Sequence, residues 1–385
     1  MKNDKLKVFI NKVDCGELVF EDDKYVFNYK DDAKDIVSLS MPIRKASWVS
    51  KKLHPIFQMN LPEGALKEAI TNHFLKIHSM EDIDFLKIIG PYMLGRVKFD
   101  KIDNINIKDT LELDDILNST KQNLFNELMQ RFSLRSGVSG VQPKLLLSTQ
   151  NKTTMNFEHY IVKSWESDYP QLALNEYFCM RAIQNANLPT PKFYLSSDLS
   201  MFIMKRFDIQ DDHSYLGFED MCVLTARGTK EKYDGSYEEI IRVIKDIIPP
   251  IKKKESIKIF FKALIMNHLL QNGDGHLKNY GILYENDYED AFLAPIYDVI
   301  TTTIYIKNDI PALKISDGKL WWKEKTYKIF AKQSCGLSTL EYEDIITECQ
   351  EAIFKTKKEI DNFKSEDIEV KGFLSDLKEC WRDKL

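Results

Sequence analysis

The feature that most constrains this chain is a polar stretch, Gln271-Asn272-Gly273-Asp274-Gly275-His276-Leu277-Lys278-Asn279-Tyr280, with the pair Tyr297-Asp298 downstream of it. It lies between Ile257 to Leu270, whose apolar residues have helical spacing, and Tyr280 to Tyr284, which has strand composition. Gly273 and Gly275 therefore read as turn positions that lift Asp274 out of regular structure and set a carboxylate on a loop tip. Any fold of this chain must carry a helix into that turn and a strand out of it.

The order of side chains suits one chemistry. Phosphoryl transfer needs a carboxylate to accept a hydroxyl proton, a cation on the moving group and an amide oxygen on a metal, which Asp274, Lys278 and Asn279 supply in turn. Asp298 adds a second ligand, since Mg²⁺ takes one or two carboxylates and leaves the rest of its shell to phosphate and water. Asn-Gly and Asp-Gly are also the commonest turn dipeptides, so Asn272 to Asp274 alone fit an ordinary turn equally well. The ordered set that adds His276, Lys278, Asn279 and Asp298 favours the site.

Upstream stretches extend this reading. In Arg135 to Lys144, Gly137 and Gly140 allow backbone amides to turn toward an anion and Lys144 adds a point charge, giving a phosphate-cradling loop between strands. A plain hairpin explains that loop when it is taken alone. His159 to Lys163 is a β-rich run ending in a lysine, where a nucleotide phosphate needs one. Glu176, in the helix Leu172 to Ala186, is either the partner of Lys163 or a carboxylate favoured at a helix start. Phe193 to Leu195 and Met201 to Phe207 read as a hairpin. Backbone groups of Lys205 to Phe207 would meet an adenine there, and Phe207 either sandwiches the base or is a core aromatic.

Asn272 to Asn279, Pro295 to Ile300, Ser139 to Leu145 and the amino-terminal region together resemble the HipA-like serine/threonine kinases, the toxin half of bacterial toxin–antitoxin pairs. The His-Arg-Asp and Asp-Phe-Gly spellings of ordinary protein kinases are absent, so the resemblance is narrower than kinases at large. It implies an α+β, two-lobed protein-kinase-like fold with a small amino-terminal β-rich subdomain and a mostly helical carboxy-terminal lobe. The units expected are 1–120, 121–207 and 208–385. ATP and Mg²⁺ are the implied cofactors, with Asp274 and Lys278 catalytic and Asn279 and Asp298 on the metal. Ser139, Gly140, Val141, Gln142, Lys144, Lys163, Lys205, Phe207, His276, Asn279 and Tyr297 are the implied nucleotide contacts. The resemblance also implies a protein substrate, a translation component such as an aminoacyl-tRNA synthetase, self-phosphorylation, and a small DNA-binding antitoxin of the HipB type as partner. The first serine of the family's Ser-x-Ser-Gly pattern falls on Gly137 and the second on Ser139, so Ser139 is the candidate acceptor and Ser136 the next. The alternatives are a small-molecule kinase of related fold, which needs a pocket for a soluble acceptor, an inactive antitoxin-binding co-repressor, which would bind ATP poorly, and a purely structural helical scaffold, which would leave Asp274 and Asp298 far apart.

Composition sets the bounds. A chain of 385 residues, 43% hydrophobic and 29% charged, is globular and long enough for two or three packed units. A formal net charge of -5 argues against holding nucleic acid by bulk electrostatics, and Lys252-Lys253-Lys254 reads as a solvated face. Six scattered cysteines without a Cys-x-x-Cys pair, a charged start and no apolar run of bilayer length point to a reducing, cytoplasmic setting away from membranes. Along the chain, Lys7 to Asn11, Gly16 to Phe20 and Lys24 to Tyr29 predict an antiparallel sheet, followed by helices at Ala65 to Ile77 and Asp82 to Ile89. No catalytic chemistry is expected in this region. Lys101 to Lys108 reads as a polar connection and Leu111 to Leu134 as helical. In the second half, helices are expected at 219–226, 237–247, 258–270, 340–354 and 357–363, with Trp321 and Trp322 as packing residues.

Overall fold

Alternation at the start of the chain becomes a meander of three strands, β1 (Asp4–Ile10), β2 (Val13–Glu21) and β3 (Lys24–Tyr29), in the computed structural model. The structure describes residues 4–74, 80–99, 111–119, 121, 123–150, 157–165, 168–316 and 318–385. Both connecting turns, Asn11-Lys12 and Asp22-Asp23, hold two consecutive residues at positive φ, the backbone that a tight hairpin between twisted strands requires. Edge strands β4 (Trp48–Ser50) and β5 (Val97–Phe99) complete an antiparallel sheet of order β4-β3-β2-β1-β5. Its inner face buries Leu6, Val8, Leu18 and Phe27 against α1 (Pro55–Gln58), α2 (Gly64–Phe74) and α3 (Asp82–Ile89). Phe57 of α1 packs edge-on to both Phe27 and Phe99.

After α4 (Leu113–Leu117) and α5 (Leu124–Phe132), a second antiparallel sheet follows from β6 (Lys144–Gln150), β7 (Phe157–Lys163), β8 (Phe193–Leu195) and β9 (Phe202–Lys205), in the order β6-β7-β9-β8. Helix α6 (Leu172–Asn185) crosses between β7 and β8 and packs on this sheet. The remainder is mostly helical. A small sheet of β10 (Gly217–Asp220), β11 (Gly281–Tyr284) and β12 (Phe292–Leu293) sits among α7 (Met221–Leu224), α8 (Tyr237–Ile247), α9 (Pro250–Leu269), α10 (Glu324–Phe330), α11 (Thr339–Asp361) and α12 (Ile368–Cys380). Ser236, Ser338 and Asp367 cap α8, α11 and α12 by accepting backbone N–H groups at their starts. The α+β, two-lobed architecture expected from the sequence is present, sheet-rich toward the amino terminus and helical toward the carboxy terminus.

Helix α9 is central, buried on nearly every side after its first two turns. Replacing Phe261, fully buried within it, by Ala is expected to lower unfolding stability by about 3–5 kcal/mol, read from urea titrations at unchanged m-value.

Several boundaries differ from the sequence expectation. The helix expected over Ala65 to Ile77 is observed as far as Phe74, and its last residues, like the connection Lys101 to Lys108, lie outside the described residues. Leu111 to Leu134 is two helices, since Asn123 turns to φ 65° immediately before α5. Residues 219–220 are strand, not helix: Glu219 and Asp220 pair with Ile282 and Gly281, and the Asp220 carboxylate then caps α7. Segments 340–354 and 357–363 fuse into α11, because nothing between them breaks a helix. Helix α12 was not foreseen, although its buried Val370, Leu374 and Leu377 have helical spacing. All six cysteines are free thiols, and among the described residues no helix is long and apolar enough to cross a membrane.

Buried polar contacts fix the amino-terminal sheet against the rest. Glu219 accepts from Ser38 Oγ (2.8 Å), Leu39 N (2.7 Å) and Tyr284 OH (2.5 Å), and Asp208, paired with Arg206, accepts from Gly95 N (2.6 Å). A cleft with a volume of about 560 Å³ is lined by Met59, Glu63 and Leu94 of the amino-terminal region, by Ile161, Lys163 and Met204 of the second sheet and by Phe218 and Asp220 of the third.

Candidate functional site

Helix α9 ends at Leu269 and the chain reverses through residues 271–276 before a single 3₁₀ turn, Leu277–Asn279, leads into β11. The reversal is held from within. Asn272 Oδ1 accepts from Asp274 N (3.0 Å), Asn272 Nδ2 donates to Asn267 Oδ1 (2.9 Å), and Gly273 N donates to Thr302 Oγ1 (2.8 Å). A side chain on Gly273 would run into Asp309 and Thr302, so only glycine lets the turn approach that wall.

The turn places Asp274 in the cleft, where Oδ1 accepts from Tyr233 OH at 2.7 Å. Its side chain keeps 42% of its surface open, yet the enclosing walls push the carboxyl pKa above the usual aspartate value. His276 is buried, and that burial lowers its pKa to about 3. A neutral imidazole shapes the turn, packing edge-on to Tyr233, and brings no positive charge.

Asp298 sits across from the turn at φ 61°, a left-handed backbone uncommon for any residue but glycine. Its Oδ1 takes Lys163 Nζ at 2.6 Å and its Oδ2 takes Asn279 Nδ2 at 3.2 Å. Asn279 spends its N–H groups on Asp298, which leaves Asn279 Oδ1 buried with no partner. An unmet buried acceptor costs about 1–3 kcal/mol, and one beside a carboxylate fits a divalent cation. Among the described residues no group of three or more His, Cys, Asp or Glu side chains is set to hold a metal. A cation here would therefore take one carboxylate and one amide, with ligand phosphates and water completing its shell. Burial by itself would raise the Asp298 pKa; Lys163 and Lys144 outweigh it and hold the carboxyl well below the usual range.

Lys163 ends β7, buried, between Asp298 and Glu176 Oε1 (2.6 Å). The two carboxylates overcome desolvation and keep it protonated. Lys144 faces Lys163 directly across the β6–β7 pair, an arrangement that is repulsive between like charges, and burial lowers its pKa. Gly140, at φ 127°, has a backbone that side-chain-bearing residues rarely adopt, and it lies against Lys144 Nζ. A cationic floor under a glycine loop at one end of the cleft matches a polyphosphate.

The opposite end is apolar, with Leu94, Val138, Ile161, Met204 and Phe218 around Phe207. Phe207 stacks on Tyr297 with ring centroids 5.2 Å apart, and Tyr297 OH donates to Lys278 O (2.8 Å). A flat base fits between such walls. Val141 and Gln142 line the mouth, Gln142 Nε2 donating to Ser164 O. Lys205 departs from expectation: its amide donates to Lys192 O and its Nζ to Glu158, and it does not line the cleft. Ser136 is buried, donating to Phe132 O and accepting from Leu146 N, whereas Ser139 faces the cleft.

Six cleft carboxylates or phenols went unread in the sequence: Glu63, Tyr169, Asp220, Tyr233, Tyr305 and Asp309. Glu63, from the amino-terminal region where no catalytic chemistry was expected, reaches the cleft and accepts from both Ser139 and Lys278. The turn Leu61-Pro62-Glu63-Gly64 was visible as a break, but nothing local showed what it faces.

The family model of the HipA-like C-terminal domain matches residues 136–356, and that of the HipA N-terminal domain matches residues 6–100. A Haemophilus influenzae protein provisionally named a kinase is 27% identical over 188 residues, 44% of this chain and 53% of its own. Y4dM of Sinorhizobium fredii, also provisionally named a kinase, is 27% identical over 289 residues, 69% of this chain and 66% of its own. The chain thus spans about half and about two thirds of these two relatives. Among solved structures, HipA from the Shewanella oneidensis MR-1 toxin–antitoxin complex of HipA, HipB and operator DNA superposes with a TM-score of 0.71 at 17% identity, over 97% of this chain and 95% of that one.

Proposed function

The chain belongs to the HipA-like family, and on that premise we propose that it is an ATP- and Mg²⁺-dependent kinase acting on serine or threonine hydroxyls of proteins, itself included. The observation that carries this reading is the unpartnered Oδ1 of the buried Asn279 next to Asp298, whose carboxylate lines the same cleft as Asp274 and the two strand lysines.

In this mechanism the base lies between Phe207 and the aliphatic wall, and the triphosphate runs over Gly140 toward Lys144 and Lys163. Asn279 and Asp298 would hold Mg²⁺, which when bound neutralises charge on the phosphate oxygens. Asp274 Oδ1 takes the proton of the acceptor hydroxyl as its oxygen attacks the terminal phosphorus and the bond to ADP breaks. Tyr233 OH, which occupies that carboxylate oxygen at rest, yields its place to the acceptor. Lys278, which donates to Ser139, carries charge to the loop end of the phosphate chain. Positioning and charge do most of the work.

The same reading assigns an amino-terminal subdomain to 1–120, a nucleotide lobe to 121–207 and a helical lobe to 208–385. It takes a small HipB-type protein as partner, as in the Shewanella complex, and a translation component such as an aminoacyl-tRNA synthetase as target. Mass spectrometry of the full chain incubated with Mg²⁺-ATP, intact and as Asp274→Ala, tests it. Phosphate on Ser139 in the intact chain alone is the expected result. No Asp274-dependent phosphate on Ser139, on Ser136 or on any protein of an added cell lysate would overturn the reading.

A further inference from the structure

The loop that ends at Lys144 is gripped from outside by the amino-terminal region. Met93 and Gly137 form a parallel bridge in which Gly137 N donates to Tyr92 O (3.4 Å) and Leu94 N donates to Gly137 O (3.3 Å). A Cβ on Gly137 would lie 2.7 Å from Met93 Cγ, so this approach leaves no room for a side chain at 137. That is the position where the family resemblance puts a first serine. Gly64, at φ 49°, backs onto the Val141 carbonyl just as tightly. Between these two contacts, Glu63 Oε1 accepts from Ser139 Oγ and from Lys278 Nζ (3.4 Å), and Lys278 donates in addition to Ser139 Oγ and Met59 O (3.2 Å). One carboxylate therefore ties the glycine loop to the turn that bears Asp274.

We propose that Glu63 is a positioning residue for the nucleotide: it latches loop 136–144 over the cleft, making the amino-terminal region a clamp on the phosphate-binding loop. The inference rests on the kinase reading and adds a residue to it. Charge-assisted hydrogen bonds with partly buried partners are strong enough to order a glycine loop, and here the side chains of Glu63 and Lys278 keep only 24% and 11% of their surface open. Burial opposes the charge on Glu63, but Lys278 and Ser139 more than offset it and hold its pKa below the usual glutamate value. Without the carboxylate the loop opens more of the time, and apparent nucleotide affinity falls by the fraction of molecules left closed.

The test uses the full chain as wild type, Glu63→Gln and Glu63→Ala. Amide hydrogen exchange of residues 137–143 is followed without ligand, binding of Mg²⁺-AMP-PNP is followed by calorimetry, and turnover is measured at saturating ATP. Both variants are expected to exchange faster in the loop and to bind AMP-PNP about tenfold more weakly, with kcat within about threefold of wild type. Unchanged loop exchange, or a fall in kcat with affinity retained, overturns the latch. The near-isosteric Gln variant keeps the test decisive if the Ala variant does not fold. A wild type that fails to bind AMP-PNP refutes the kinase reading, while the loop-exchange arm still judges the latch separately.

Discussion

Asp274→Asn is expected to reduce phosphoryl transfer by about 10²–10⁴-fold while leaving Mg²⁺-nucleotide affinity within a few-fold of wild type. The substitution keeps shape and the contact to Tyr233 OH but removes the group that accepts the proton. The turn itself is held by Asn272, Asn267 and Thr302, none of which touches the Asp274 carboxylate, so the melting temperature should hardly move. The ionised carboxylate is the active form, and its pKa lies above the usual aspartate value. Rate should therefore fall as pH drops through that raised pKa, and the acid limb should vanish in the Asn variant. Single-turnover rates of the two proteins across pH provide the check. Equal rates would remove Asp274 from the chemistry.

Asp298→Asn is expected to have the second large effect. It should abolish the Mg²⁺-dependent part of nucleotide binding and lower transfer by about 10³-fold or more, since the metal then retains only neutral amide oxygens from the protein. Lys163 keeps Glu176 at 2.6 Å, so the strand end stays in place and the fold should survive. Titrating AMP-PNP with and without Mg²⁺ separates the outcomes. Wild type should bind more tightly with the ion and the variant indifferently. If the variant retained the full Mg²⁺ enhancement, the metal would have to sit elsewhere.

How much of this was legible depended on sequence separation. The turn around Asp274 was readable because its glycines, its carboxylate and its flanking helix and strand are contiguous, and Asn272 to Asn279 obey local rules of turn geometry. Lys163 and Glu176 were readable as a strand end and a helix start, although only the fold shows that they meet. Glu63 was not readable: it reaches Ser139 across 76 residues of chain, and nothing in Pro62-Glu63-Gly64 specifies a destination. Lys205 was misplaced for a related reason. The hairpin was recognised, but which backbone groups remain available depends on a neighbouring strand, and Lys192 takes the Lys205 amide. Glu219 and Asp220, the end of β10, looked helical because Glu and Asp have little strand propensity; pairing with Ile282 and Gly281 overrides that preference.

The opposed Lys144 and Lys163 show where this fold gives up robustness. Two ammonium groups face each other across neighbouring strands, both sheltered from water; Glu176 and Asp298 meet the charge on Lys163, whereas burial and Lys163 both press against the charge on Lys144. A polyanion in the cleft favours the charged form of Lys144, so nucleotide and scaffold are thermodynamically coupled: the filled protein resists heat better than the empty one, and a neutral side chain in place of Lys144 weakens its hold on the nucleotide.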